Sequence, residues 1–416
     1  MLDFSRGITM SKKAPSHTRL IIGIGIAWLF DAMDVGMLSF VIAALHKEWQ
    51  LSTVEMGWIG SVSSIGMAVG AILFGMMADR FGRKAILILT LLVFSIGSGI
   101  SAFATGYGIF LVLRFIIGAG LGGELPVAST LVSESVPVEK RGRSVVLLES
   151  FWAAGWLLAA IISYFVMPIW GWRVAIFATG LAGLYAFYFR EGIHESRAFK
   201  KVARPGLIKT LTTLWRPPYV RSTLMLWIVW FMVVFSYYGM FLWLPSVMVL
   251  KGFSLINSFG YVLIMTLAQL PGYFVAAWLI EKWGRKTVLS LFLLGTAGSA
   301  LGFGMAASLP MLLTAGMLLS FFNLGAWGAL YAYSPEQYPT IVRSSGSGMA
   351  AGIGRIGGIV GPLLVGHLLG ANWSVTGIFG IFTASILIAI IAIIFLGKET
   401  MGVKLADTIE TSTAKQ

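Results

Sequence analysis

Stretches of roughly 20 apolar residues, each long enough to cross a bilayer as a helix, succeed one another along the whole chain. They fall near 19–45, 55–78, 85–105, 107–132, 144–168 and 172–190, then 221–250, 256–280, 287–306, 310–333, 345–369 and 374–396. In hydrocarbon every peptide group must be satisfied internally, so runs of this length are helices. With 57% hydrophobic and 11% charged residues, and a mean hydropathy of +0.87, the chain is too apolar for a soluble domain. The expectation is an all-α integral membrane protein of twelve transmembrane helices, with the lipid bilayer as its surroundings.

Cysteine is absent, which excludes disulfides and thiol chemistry. His17, His46, His194 and His367 are scattered without metal-ligand spacing. No nucleophile constellation or phosphate loop is present either, so neither an enzyme nor a cofactor or metal is expected. The first eighteen residues are polar and basic, without the apolar core of a signal peptide, and Met10 offers a second start.

A formal charge of +13 invites a nucleic-acid reading, but the placement of the cations argues against one. Twenty-five of the 30 Lys and Arg fall in one alternating set of loops and the termini, and only Lys47, Arg173 and Lys251 fall in the other. Loops rich in Lys and Arg stay on the cytoplasmic side. Both termini and the central loop are therefore expected in the cytoplasm of a multi-pass protein of the cell inner or plasma membrane.

An internal repeat divides the chain. Asp79 to Lys84 reads DRFGRK, and Glu281 to Lys286 reads EKWGRK, 202 positions later. Glu134, Pro137 and Arg141 recur at the same offset as Glu336, Pro339 and Arg343. Two loops matching at one offset imply two similar six-helix bundles, 1–190 and 221–396. A charged linker, 191–220, joins them, and a tail, 397–416, follows.

GMMADRFGRK (Gly75 to Lys84), its counterpart at Glu281 to Lys286 and the two Glu-Pro-Arg loops resemble the major facilitator superfamily, in its sugar-porter-like branch. WLFDAMDVGMLSFVIAALH, GAGLGGELPVASTLVSE, FSYYGMFLWLPSVM and GRIGGIVGPLLVG are more narrowly similar to bacterial niacin/nicotinamide transporters, relatives of aromatic acid:proton symporters. The resemblance covers nearly the whole chain. It implies a monomeric secondary transporter working by alternating access, taking up nicotinate, nicotinamide or a related small aromatic acid with protons and without nucleotide. Sugar:proton symport and proton-coupled drug or metabolite efflux are the alternatives. The glutamine pair of sugar porters is missing: Met232 and Val233 stand there, and Tyr331 replaces their tryptophan.

Charges inside membrane helices cost roughly 2.5–3.5 kcal/mol each on insertion scales and mark pathways. Asp34 lies roughly 21 Å and Arg114 roughly 25 Å from the same side, at 1.5 Å per residue, so they can pair. Asp31 sits one turn from Asp34 on the same face, and adjacent carboxylates raise the proton affinity of one of them. In the family a helix-1 aspartate and a helix-4 arginine couple transport to protons, a role the resemblance carries to Asp34 and Arg114. Mutual neutralisation within the structure is the competing reading. Glu124 and Glu149, nearer the cytoplasmic end, are candidates for relaying a proton or bonding between helices.

Arg355, near the midplane, is suited to gripping a carboxylate through paired hydrogen bonds. Phe235, Tyr237, Tyr238 and Trp243 offer rings that stack on a flat heteroaromatic substrate, and Gln269, Asn323 and Tyr331 offer polar contacts. Asp79, Glu134, Glu281 and Glu336, with Arg83, Arg141, Arg285 and Arg343, can bridge the halves when the cytoplasmic side closes. Among the 50 glycines, those of GAGLGG and GRIGG read as seams of close helix packing.

Overall fold

The computed structural model describes residues 17–81, 83–135, 141–190 and 212–401. Within them, side chains are described except at 17–21, 75–76, 78–80, 83–84, 87, 123–135, 141–146, 182–190, 340–341 and 344. The described residues form helices and no strands. The first six are α1 (His17–Glu48), α2 (Thr53–Phe81), α3 (Arg83–Ser101), α4 (Tyr107–Ser135), α5 (Arg141–Phe165) and α6 (Met167–Arg190). The second half carries α7 (Val220–Phe241), α8 (Leu244–Leu250), α9 (Leu255–Leu267), α10 (Gln269–Trp283), α11 (Arg285–Met305), α12 (Leu309–Glu336), α13 (Thr340–Gly370) and α14 (Val375–Leu396).

Two expected spans are each broken in two. The seventh, expected unbroken over 221–250, stops at Leu242 and restarts as α8 with Pro245 in its first turn. The eighth breaks at Ala268, just before Pro271. Proline has no N–H and its ring crowds the preceding turn, so it is tolerated at a helix start and breaks a helix interior. Among the described residues, the fourteen helices given above thus account for the twelve spans of the expected fold.

The repeat in sequence is a repeat in packing. α1 lies on α5 as α7 lies on α13, α2 on α4 as α10 on α12, and α3 on α4 and α6 as α11 on α12 and α14. Lipid tails are as apolar as the side chains, so helices in a membrane associate through close packing rather than through a hydrophobic drive. Large apolar residues accordingly remain on the outside, among them Ile72, Phe103, Phe165, Trp278 and Ile391.

The two halves meet through α2 against α13, α1 against α8, and α5 against α9, α10 and α12. The α2–α13 seam closes the end of the bundle opposite the chain termini. A Cβ on Gly57 would lie 2.8 Å from the Pro362 carbonyl oxygen, and one on Gly366 would lie 2.5 Å from that of Thr53. Only glycine permits this approach. One turn deeper, Ser61 Oγ donates to the Ile359 carbonyl at 2.7 Å.

Candidate functional site

Three elements of the first half build a buried ion pair. Arg114 of α4 donates from Nη1 to Asp34 Oδ2 of α1 at 3.1 Å, and from Nη2 to Oδ1 at 3.5 Å. Ser98 of α3 adds a hydrogen bond to Oδ1 at 3.1 Å. Arg114 is 1% and Asp34 2% exposed, so neither charge reaches solvent, and removing one partner would strand the other at a cost of about 3–5 kcal/mol. Asp31 is buried one turn closer to the terminal end.

Beside this pair, both halves contribute to an aromatic chamber. Glu149, buried on α5, faces the indoles of Trp28 on α1 and Trp327 on α12, and lies within electrostatic reach of Arg355 on α13 and of Tyr273 and Tyr331. Residues 149, 152 and 156 share one face of α5, and 323, 327 and 331 one face of α12, by helical spacing. Trp152 packs on Trp28 at 5.1 Å between ring centroids. Tyr237 packs on Trp327 at 4.9 Å and Trp156 at 6.2 Å, and Tyr331 lies 4.8 Å from Trp230 and 5.9 Å from Trp327.

Several polar atoms here are buried without a hydrogen-bond partner, namely the Tyr273 hydroxyl and both amide atoms of Gln269 and Asn323, while the indoles of Trp28 and Trp327 face the Glu149 carboxylate. Buried polar groups are rarely left unpaired unless function requires it. Flat rings with unmet donors and acceptors are the groups by which proteins commonly hold small planar molecules with polar substituents. Arg355 donates to the Met67 sulfur at 3.3 Å, stands beside Tyr238 and lies within electrostatic reach of the Glu149 carboxylate. A guanidinium so placed is available to a carboxylate.

Of the residues expected at a substrate site, Tyr237, Tyr331 and Arg355 come together around Glu149, with Tyr238 against Arg355. Gln269 and Asn323 are buried on α10 and α12. Phe235 instead packs among Phe231, Phe382 and Gly357, and Trp243 is buried at the α7–α8 break. The Glu124 side chain lies outside the described residues. Trp28, Trp152, Trp156, Trp327 and Tyr273 were not foreseen, although the 149/152/156 and 323/327/331 spacings carry the signal.

At the terminal end, Asp79, Arg83, Glu134 and Arg141 also have side chains outside the described residues. Their second-half counterparts pair within that half: Arg285 bridges Glu281 and Glu336, each at 3.2 Å, and Arg343 donates to the Tyr338 carbonyl at 3.3 Å. The sequence reading missed the start of the tail. Glu399 accepts the backbone N–H of Arg285 at 2.9 Å and of Lys286 at 3.0 Å, capping α11, while Lys286 Nζ donates to the Ile394 and Gly397 carbonyls. Partial burial works to raise the Glu399 pKa, but backbone N–H groups of Met401, Thr400, Arg285 and Lys286 hold it below the ordinary value. Gly284, at φ 88°, makes the turn; a Cβ there would meet the Glu399 carboxylate at 2.5 Å.

Two pseudo-symmetric helical bundles enclosing a buried site between them define a membrane carrier. Major Facilitator Superfamily patterns match residues 24–270 and 261–411, and the chain belongs to that family. It is a multi-pass membrane protein. A Bacillus subtilis protein with the provisional name niacin/nicotinamide transporter NiaP is 63% identical over 94% of this chain and 98% of its own. The niacin transporter NiaP of Acinetobacter baylyi is 45% identical over 93% and 95%. Among solved structures, a D-xylose-proton symporter superposes with a TM-score of 0.77 at 18% identity, over 93% of this chain and 99% of that one. The human organic anion transporter MFSD10 gives 0.75 at 17%, over 91% and 100%. At such identities the likeness is one of fold.

Proposed function

We propose that the chain is a proton-coupled importer of niacin, in the form of nicotinate or nicotinamide, or of a close aromatic acid, cycling by alternating access as a monomer. The observation that carries this reading is the aromatic chamber with Arg355 at its edge, set beside the buried Asp34–Arg114 pair. A pyridine ring is suited to stacking on indoles and phenols, its carboxylate suits the guanidinium, and its ring nitrogen or amide answers the unmet polar groups. The names borne by the two bacterial relatives point to the same substrate. Residues 1–190 and 221–396 act as the two moving bundles, 191–220 as the linker and 397–416 as the tail.

With both termini in the cytoplasm, the closely packed α2–α13 seam faces outside. Arg285 pairs with Glu281 and Glu336 of its own half and belongs to the cytoplasmic lock between the halves. Glu281, Glu336 and Arg343, with Asp79, Arg83, Glu134 and Arg141, rejoin across the halves in the outward-facing state. Asp31 and Asp34 take the proton and loosen Arg114.

The test is uptake of labelled nicotinate into proteoliposomes with and without an inward proton gradient, with nicotinamide and xylose as competitors. Concentrative uptake blocked by nicotinamide and not by xylose is expected. Displacement by xylose, or no nicotinate uptake, would overturn the substrate assignment.

A further inference from the structure

Where the α2–α13 seam reaches the middle of the bundle, an enclosed cavity of about 10 Å³ remains, the least room that admits a single water. Asp34 of α1, Ser63, Ser64 and Met67 of α2, and Tyr238 of α7 are among its walls. The two serines bond only loosely to their own helix, Ser63 to the Ile59 carbonyl at 3.3 Å and Ser64 to that of Gly60 at 3.4 Å. A Cβ on Gly358 of α13 would touch both the Tyr238 ring and Ser64 Oγ, at 3.5 and 3.6 Å. The cavity therefore lies where both halves abut.

Two guanidinium groups, one from each half, contact residues of the cavity wall from behind. Arg114 holds Asp34 on one side. On the other, Tyr238 stands beside Arg355, whose Nη1 donates to the Met67 sulfur lining the cavity. A thioether is a poor acceptor, so this contact gives way readily to a carboxylate. Among the described residues, Asp31 is the further charged group one turn from Asp34 on its own helix.

We propose that this cavity is a one-water junction between the Asp34–Arg114 pair and the Tyr238–Arg355 pair. Tyr238 is the positioning residue through which proton and substrate bias one another. The inference rests on the coupled-uptake reading above. A protonated Asp34 donates into the junction where the carboxylate only accepts, which turns the water and with it the hydrogen-bonding direction of the Tyr238 hydroxyl. A substrate carboxylate drawing Arg355 away from Met67 acts on the same hydroxyl from the other end. Linkage makes the effect reciprocal: whatever protonation does for substrate affinity, substrate does for proton affinity.

Ser64→Val fills the cavity, and Tyr238→Phe removes the hydroxyl while keeping the ring. In proteoliposomes, labelled nicotinate is followed in two ways: counterflow exchange without a gradient, and accumulation under an inward proton gradient. Ser64→Val is expected to exchange like wild type while its ratio of accumulation to exchange falls about fivefold or more, the lower range of measured couplings. Tyr238→Phe is expected to lose more accumulation than exchange. An unchanged ratio in either variant, or an equal fall of both readouts, overturns the junction. Wild-type protein that exchanges nicotinate without concentrating it overturns coupled uptake and the junction together. A wild type that does neither removes the substrate assignment as well.

Discussion

Trp152 donates its indole N–H to the Tyr237 hydroxyl at 2.8 Å, tying α5 of one half to α7 of the other. Because Tyr237 also packs on Trp327, one phenol is fixed by both halves at once. Tyr237→Phe leaves a buried indole donor unmet, at a cost of about 1–3 kcal/mol. A lower unfolding midpoint in detergent and weaker nicotinate binding by calorimetry are expected, with unaltered values arguing against a shared wall.

Asp34→Asn keeps the shape of the carboxylate, removes its charge and leaves Arg114 without its anion. Gradient-driven nicotinate accumulation should vanish while counterflow persists. Persistent accumulation would assign proton coupling elsewhere.

Arg355→Ala removes the group suited to a carboxylate and leaves the aromatic walls intact. A hydrogen bond to a charged group is worth about 1.5–3 kcal/mol, so nicotinate affinity should fall roughly ten- to hundredfold, and nicotinamide affinity much less. Competition binding with both ligands distinguishes this from a general loss of fold.

Glu399 joins the tail to the turn between α10 and α11. Its folded pKa lies below the ordinary 4.5, so its contribution to stability is complete above that value and fades as pH falls through the lowered one. Glu399→Gln should therefore lower the unfolding midpoint at neutral pH by the equivalent of about 1 kcal/mol, the usual worth of a helix cap. The difference from wild type should close on acidification below about pH 4.5. A gap that widens in acid would reverse the assignment.

Spans and the Asp34–Arg114 pair were legible because each leaves a local mark: apolar length, and helical rise applied to two charges. The two broken spans were marked only by Pro245 and Pro271, and proline is common enough in membrane helices to pass without notice. The tryptophans around Glu149 were hidden for a different reason. In a helix that is apolar on every side, an aromatic residue has no contrast to show which face it takes, and only the arrangement of four or five helices converts Trp152 or Trp327 into a wall. The docking of Glu399 likewise depends on a turn more than a hundred residues away.

The α2–α13 seam has an energetic consequence for the transport cycle. Where Gly57 and Gly366 meet backbone carbonyls, the gate shuts main chain against main chain and immobilises few rotamer-rich side chains, so closing it carries little conformational entropy cost. Opening forfeits correspondingly little beyond close packing and the Ser61–Ile359 hydrogen bond. A closure so inexpensive leaves its closed and open states near balance, and a preference of a few kcal/mol for either is enough to reverse which one is populated.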